Sequence, residues 1–237
     1  MSWSPDHGPH VLVMAKAPVA GVVKTRLCPP CSPDEAAAVA EAALADTLEA
    51  VVASGASRKV VALDGDPGPW LPPGLTVIPQ RGATFAARLA HAWADTGGTG
   101  IQIGMDTPQV GPAELDELLA LLIAGSRRRT VLGPALDGGW WAIGLPAAAG
   151  APAGAGYTRL FEGVAMSTPR TGDDQQRRLR RLGFNVALGG TRRDIDTVAD
   201  LAEVAAEIPD SRTAAAWRRL GLATSAPSSR PVPAASR

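Results

Sequence analysis

Val11-Leu12-Val13-Met14 gives way, one residue later, to Lys16-Ala17-Pro18-Val19-Ala20-Gly21-Val22-Val23-Lys24-Thr25-Arg26-Leu27. The first piece is a short apolar run that ends in a loop, which reads as a buried strand. The second is a cationic loop shaped by Pro18 and Gly21. Beyond it, Ser32 reads as an N-cap, Pro33 as the first helical residue and Glu35 as the partner that closes a capping box. The Ala-rich helix they open is expected to run to about Ala53. Strand, loop and capped helix in that order are the opening unit of an α/β fold.

The loop is also unusual in its charges. The 237 residues hold three lysines against twenty arginines, and two of those lysines are Lys16 and Lys24. An ammonium is a compact point charge suited to phosphate, whereas a guanidinium is a planar fork. Lys16, Lys24 and Arg26, together with exposed backbone N–H groups, therefore read as a polyphosphate cradle. The loop has neither the order of a Walker A motif nor that of the dinucleotide fingerprint.

The same alternation continues along the chain. Strands are expected at 59–63, 75–78, 101–104, 130–132, 140–145 and 184–188. Helices are expected at about 83–96, from Pro112, at 173–182, at 198–207 and at 210–221. This predicts an α/β fold with a mostly parallel, Rossmann-like sheet and helices on both faces. One domain over residues 10–221 is expected, with disordered ends at 1–9 and 222–237 and a flexible Ala/Gly/Pro loop at 146–156. Ligands of such sheets bind beyond the carboxyl ends of the strands.

Formal net charge is zero, so no global field draws the chain to nucleic acid or to an anionic membrane. No apolar run is long enough for a membrane span, and Met1 to His10 lack a secretory segment, so a cytoplasmic location is expected. The sequence does not set the oligomeric state. Cys28 and Cys31 form a lone CxxC with no histidine at useful spacing, and read as incidental loop thiols rather than a zinc site.

Several constellations carry chemistry. Asp106, in Gly104-Met105-Asp106-Thr107-Pro108, is a carboxylate at a strand end, suited to Mg²⁺ or Mn²⁺ that completes its shell with phosphate oxygens. Its competing reading is a cap on the following turn. Asp194-Ile195-Asp196-Thr197 puts two carboxylates on one side of an extended segment, and Thr197 reads as the N-cap of the next helix. Asp137-Gly138-Gly139 permits close backbone approach by a ligand or a tight hairpin turn. Of Trp140 and Trp141, one is expected in the core and the other on a pocket wall. Gly82 reads as a helix start that places Arg88 in the second turn, near an anion at the helix N-terminus. Ser167-Thr168-Pro169 reads as an acceptor-side loop. Arg177-Arg178-Leu179-Arg180-Arg181 reads as a solvated helix face.

The ordered set of segments resembles the DUF2064 family of bacterial glycosyltransferase A-like proteins. The matching pieces are Ala15-Lys16-Ala17-Pro18 with Gly21 and Lys24-Thr25-Arg26-Leu27, Gln80 with Gly82, Phe85 and Arg88-Leu89, Gly104 to Pro108, Leu132 to Leu145, Phe161-Glu162-Gly163, Ser167-Thr168-Pro169 and Arg193 to Thr197. Lys24-Thr25-Arg26-Leu27 is also similar to a loop of phospholactate guanylyltransferases. The resemblance implies a nucleotide-diphospho-sugar transferase (GT-A) fold, nucleotide phosphates on the first loop and a divalent metal on Asp106. By analogy with related nucleotidyltransferases, Asp196 is the better second carboxylate. The chain departs from the family at Met105, Thr107, Gln109 and Met166, where a small residue, Cys, Asp and Trp are usual.

These readings lead to a metal-dependent transferase that uses a nucleotide-activated donor. Lys16, Pro18, Gly21, Lys24, Arg26, Gly82 and Arg88 are the expected nucleotide-binding residues, and Asp106 and Asp196 the metal ligands. Lys24 and Asp137 are the catalytic candidates, and Gly138, Gly139, Trp140, Ser167 and Thr168 the acceptor side. Glycosyl transfer from a nucleoside-diphosphate sugar to a small acceptor leads. Nucleotidyl transfer from a nucleoside triphosphate to a phosphorylated small molecule, with release of pyrophosphate, is the alternative. Nucleotide binding without catalysis is the third reading.

Overall fold

The computed structural model describes residues 8–150 and 156–222. Residues 1–7, 151–155 and 223–237, which hold most of the expected disordered ends and part of the expected 146–156 loop, lie outside the described residues. The Pro9 carbonyl accepts from the Ser57 and Arg58 N–H groups at 2.9 and 3.3 Å, and Leu222 packs on the apolar cluster around Leu27.

Seven strands make one sheet in the order β3-β2-β1-β4-β6-β5-β7. They are β1 (His10–Lys16), β2 (Arg58–Asp64), β3 (Thr76–Pro79), β4 (Gly100–Gly104), β5 (Arg129–Pro134), β6 (Trp140–Leu145) and β7 (Asn185–Leu188). All pairs are parallel except those of β6, which runs antiparallel to both β4 and β5. The turn between β5 and β6 is too short for a crossover, so the two strands must form a hairpin.

The helices are α1 (Pro33–Ala53), α2 (Phe85–Thr96), α3 (Pro112–Ile123), α4 (Thr158–Phe161), α5 (Thr171–Arg181), α6 (Val198–Glu207) and α7 (Arg212–Arg219). β1 shows how the sheet separates its faces. Val11 and Val13 pack with Leu44 and Leu48 of α1 and Leu115 of α3, while Leu12 and Met14 pack with Leu89 and Trp93 of α2. A strand covered on both faces reads as a continuous apolar run, which is why Val11–Met14 does not alternate. α6 and α7 cover the outer side of α1 through Leu201, Val204 and Ala216, in the cluster that also buries Leu27 and Cys31. Both cysteines are free thiols.

The capping box at Ser32 and Glu35 is present, with the Ser32 N–H donating to Glu35 at 2.8 Å. α2 does not begin at Gly82. Thr84 is its N-cap, with Oγ1 accepting from the Ala87 N–H at 3.2 Å. Gly82 has φ +127, and a Cβ there would stand 2.9 Å from the Ala87 carbonyl carbon. The glycine thus folds the β3–α2 loop back over the helix start.

Because six strands run the same way, their carboxyl ends lie on one rim. Lys16 ends β1, Asp64 ends β2, Gln80 follows β3, Asp106 follows β4, Asp137 follows β5 and Trp140 opens the reversed β6. Among the described residues no helix is long and apolar enough to cross a membrane.

Candidate active site

A cleft of about 630 Å³ opens along this rim. Lys16, Lys24 and Arg26 of the first loop line it, with Arg88, Asp106, Asp137, Gly139, Trp140, Ser167, Thr168 and Asp196. Of the expected site residues, Pro18, Gly21, Gly82 and Gly138 are not among its lining residues. The three glycines act on the backbone instead. Gly21 sits at φ +75 in the loop, and Gly138 at φ +88 lies so close to the 166–171 loop that a Cβ would stand 2.0 Å from the Pro169 oxygen.

The centre of the cleft is an ion cluster. The Lys24 ammonium lies 2.7 Å from Asp106 Oδ2 and 3.6 Å from Asp196 Oδ1. Arg26 Nη1 lies 3.0 Å from Asp196 Oδ2. Lys24 itself adopts the left-handed region, φ 47, before the short 3-10 turn Thr25–Leu27. Its side chain is only 11% exposed. Burial opposes the charged form of Lys24, but Asp106 and Asp196 outweigh it and its pKa lies above the ordinary lysine value. The Ile195 N–H donates to the Asp106 carbonyl at 2.9 Å and ties the two acidic segments together.

Asp194 stands behind this pair. Its Oδ1 accepts from Thr107 Oγ1 at 2.8 Å. Burial, then the negative charge of Asp106, push its carboxyl up to about 7. Sequence reasoning ranked Asp194 behind Asp196, and the tie to Thr107 across 87 residues had no local signal.

The departures from the family pattern are built into these contacts. Met105 Sδ accepts the Lys16 backbone N–H at 3.2 Å, and Gln109 Nε2 donates to the Arg193 carbonyl at 2.7 Å. Met166 lines the cleft.

The two ends of the cleft differ. Towards β2 and β3, Arg88 Nη1 pairs with Asp64 at 2.6 Å, and Gln80 donates to two strand-end carbonyls. Phe85, 49% exposed, and Val22, 61% exposed, line the cleft with them. Towards β6 stand Trp140, Ser167, Thr168 and Thr171. Trp141 is buried and donates to the Gly190 carbonyl at 2.9 Å. Thr171 Oγ1 donates to the Ala165 carbonyl at 2.8 Å and accepts from the Thr168 N–H at 3.0 Å. Asp137 Oδ1 accepts from the Gly139 N–H at 2.7 Å and so holds its own turn.

The donor set suits a hard divalent cation, since Asp106 and Asp196 offer only oxygens and already flank a positive charge. Among the described residues no three His, Cys, Asp or Glu side chains come together as a metal cage. The fit is to an ion that brings phosphate oxygens and water with it.

The chain matches, over residues 38–168, the family described as uncharacterized protein conserved in bacteria (DUF2064). It is 32% identical over 195 residues to the phosphoenolpyruvate guanylyltransferase of Salinispora arenicola (strain CNS-205), covering 78% of this chain and 83% of that one. A crystal structure of a Desulfovibrio desulfuricans G20 protein, provisionally described as a nucleotide-diphospho-sugar transferase, superposes with a TM-score of 0.76 at 24% identity, covering 90% of this chain and 95% of that one. The 2-C-methyl-D-erythritol 4-phosphate cytidylyltransferase of Thermus thermophilus superposes with a TM-score of 0.52 at 21% identity, covering 84% and 98%. These two structural likenesses are likenesses of fold.

Proposed function

The chain belongs to the DUF2064 family, and from that premise we propose that it is a metal-assisted nucleotidyltransferase. It joins a nucleoside triphosphate, GTP in the first instance, to a phosphorylated small molecule and releases pyrophosphate. The observation that carries this reading is the Lys24 ammonium seated between Asp106 and Asp196 at the strand rim. The guanylyltransferase relative supplies the donor and, in phosphoenolpyruvate, the first acceptor to try. Glycosyl transfer, which leads on sequence alone, is supported by likeness of fold only.

An oxygen of the acceptor phosphate attacks the α-phosphorus of the triphosphate. The bond from that phosphorus to the α,β-bridging oxygen breaks, and the oxygen leaves with pyrophosphate. The attacking oxygen is already ionised near neutral pH, so no catalytic base is needed. This agrees with Asp137, whose Oδ1 is engaged in its own turn. Lys16, which enters no ion pair among the described residues, is the available phosphate cation. Lys24 and Arg26 hold the carboxylates in place and add positive charge where the leaving pyrophosphate gains negative charge. Asp106 and Asp196 would hold Mg²⁺ or Mn²⁺ once Lys24 gives up its present contacts with them, and the ion would supply further neutralisation of that charge. Gly139, Trp140, Ser167 and Thr168 receive the acceptor, over the backbone contact that Gly138 permits.

Incubation with GTP, Mg²⁺ and phosphoenolpyruvate should release pyrophosphate in step with guanylylated product. Release of a nucleoside diphosphate from a sugar nucleotide, with no pyrophosphate from any triphosphate, would replace this reading with glycosyl transfer. Tight nucleotide binding that ignores EDTA and yields no product would replace it with a binding protein.

A further inference from the structure

Gln80 is pinned at three points at the β2–β3 end of the cleft. Its backbone N–H donates to the Leu63 carbonyl at 2.9 Å. Its side-chain Nε2 donates to the Ala15 carbonyl at 2.8 Å and to the Ala62 carbonyl at 2.9 Å. Both partners can only accept, so the amide cannot be turned the other way round: an oxygen in that position would face two carbonyl oxygens. Both Nε2 hydrogens are therefore used on the ends of β1 and β2. Oε1, an acceptor only, is the side chain's remaining polar atom on a residue that lines the cleft. No donor among the described residues reaches it.

The surroundings suit a base. Phe85 and Val22 offer exposed apolar surface, and Arg88 is engaged with Asp64 and the Gly82 carbonyl. Gln80 follows β3, but its amide is held over the ends of β1 and β2, and β2 lies two strand positions, roughly 10 Å, from β4 across the rim. A nucleotide with its phosphates over Lys16 and Asp106 can therefore lay its base against Gln80.

We propose that Gln80 Oε1 reads the nucleobase and selects guanine by accepting from its N1–H and N2–H₂ edge. The inference rests on the nucleotidyl reading above and names the donor-specificity residue of that same site. Guanine alone among the common bases carries two adjacent donors on its Watson–Crick edge. Adenine and cytosine place a ring-nitrogen acceptor beside their amine, and uracil flanks its single N–H with two carbonyls. A fixed acceptor meets a repelling neighbour on each of those edges, whereas on guanine an acceptor seated between N1–H and the N2 amine has the O6 carbonyl on the far side of N1–H.

Titration calorimetry of the full chain in Mg²⁺ tests this with GTP, ITP, 1-methyl-GTP and ATP. ITP lacks the N2 amine and should bind roughly tenfold more weakly than GTP, and 1-methyl-GTP roughly a hundredfold more weakly. In Gln80→Leu the GTP-to-ITP ratio should collapse towards one. Equal binding of GTP and ITP by the unaltered protein overturns the proposal, as does a folded Gln80→Leu variant that keeps the preference. The analogue series needs no variant, so it decides even if Gln80→Leu fails to fold. If no triphosphate binds at all, the nucleotidyl reading itself falls, a result distinct from triphosphate binding without base discrimination.

Discussion

The two ends of β1 are built for opposite purposes. At its start, His10 is fully buried, meets the edge of Trp93 with ring centroids 5.2 Å apart, and receives Arg58 at Nδ1. Trp93 in turn stacks on Tyr157 at 5.7 Å and donates to Gln102 at 2.8 Å. At its finish, Lys16 is exposed beside an open cleft where carboxylates crowd one another. The closed end gains stability from packed rings and from the hydrogen bonds of Trp93 and Arg58, which offset the buried His10 Nε2, Arg58 Nε and Thr96 Oγ1, unpartnered among the described residues. The open end buries Asp194 beside Asp106, and burial first, then that like charge, raise its pKa, which costs stability and suits ligands that bring positive charge.

The largest effect should come from breaking the closed end. Trp93→Ala removes a fully buried indole and strands Gln102 Oε1, and should cost about 3–5 kcal/mol. Urea denaturation measures it, and a loss under about 1 kcal/mol would mean that the ring cluster is not what holds this end together. At the open end, Asp106→Asn should lower the rate of pyrophosphate release by roughly 10²–10³-fold, by removing the carboxylate that positions Lys24 and would hold the metal at the reacting phosphates. Its melting temperature should stay within a few degrees of the unaltered protein. A large loss of stability with activity intact would reverse the roles assigned to the two ends.

A third test separates the ends by pH. Burial, then the charge of Arg58, lower the His10 pKa from 6.5 to about 3. Below pH 6.5 the unfolded chain takes up a proton that the folded chain refuses until about pH 3. Stability should therefore be full above 6.5 and fall progressively as pH drops through that window. By pH 5 the loss should reach about 2 kcal/mol. His10→Gln should flatten this part of the profile in urea titrations at pH 7 and pH 5. Equal slopes in both proteins would mean that His10 takes up its proton without unfolding.

The sequence carried the strands, the capped helices and the strand-end placement of Lys16, Lys24, Arg26 and Asp106, because each has a signal within a few residues. Ser32 and Glu35 announce α1, and Thr197 announces α6. Long-range contacts were not legible. The reversal of β6, the tie between Thr107 and Asp194, and the Gly138 approach to Pro169 appear only when distant segments meet. Gln80 was visible merely as part of a family segment. The rule that placed Lys16 and Asp106 applies to it equally, since it directly follows β3, but an amide has no charge to draw the eye.

The smallest expected effect falls on Arg26, and it sharpens the contrast between the ends. Its guanidinium is 69% exposed and pairs with Asp196 at 3.0 Å. An ion pair so open to water contributes roughly 0–1 kcal/mol, because solvent screens it and holding two long side chains costs entropy. Arg26→Ala should therefore leave the melting temperature almost unchanged. Triphosphate binding should weaken severalfold, and its affinity should depend less steeply on salt, since one charge no longer meets the phosphates. Calorimetry at two salt concentrations reads this. If the salt dependence is unaltered, Arg26 serves only to position Asp196, and the phosphate cradle reduces to Lys16 and Lys24.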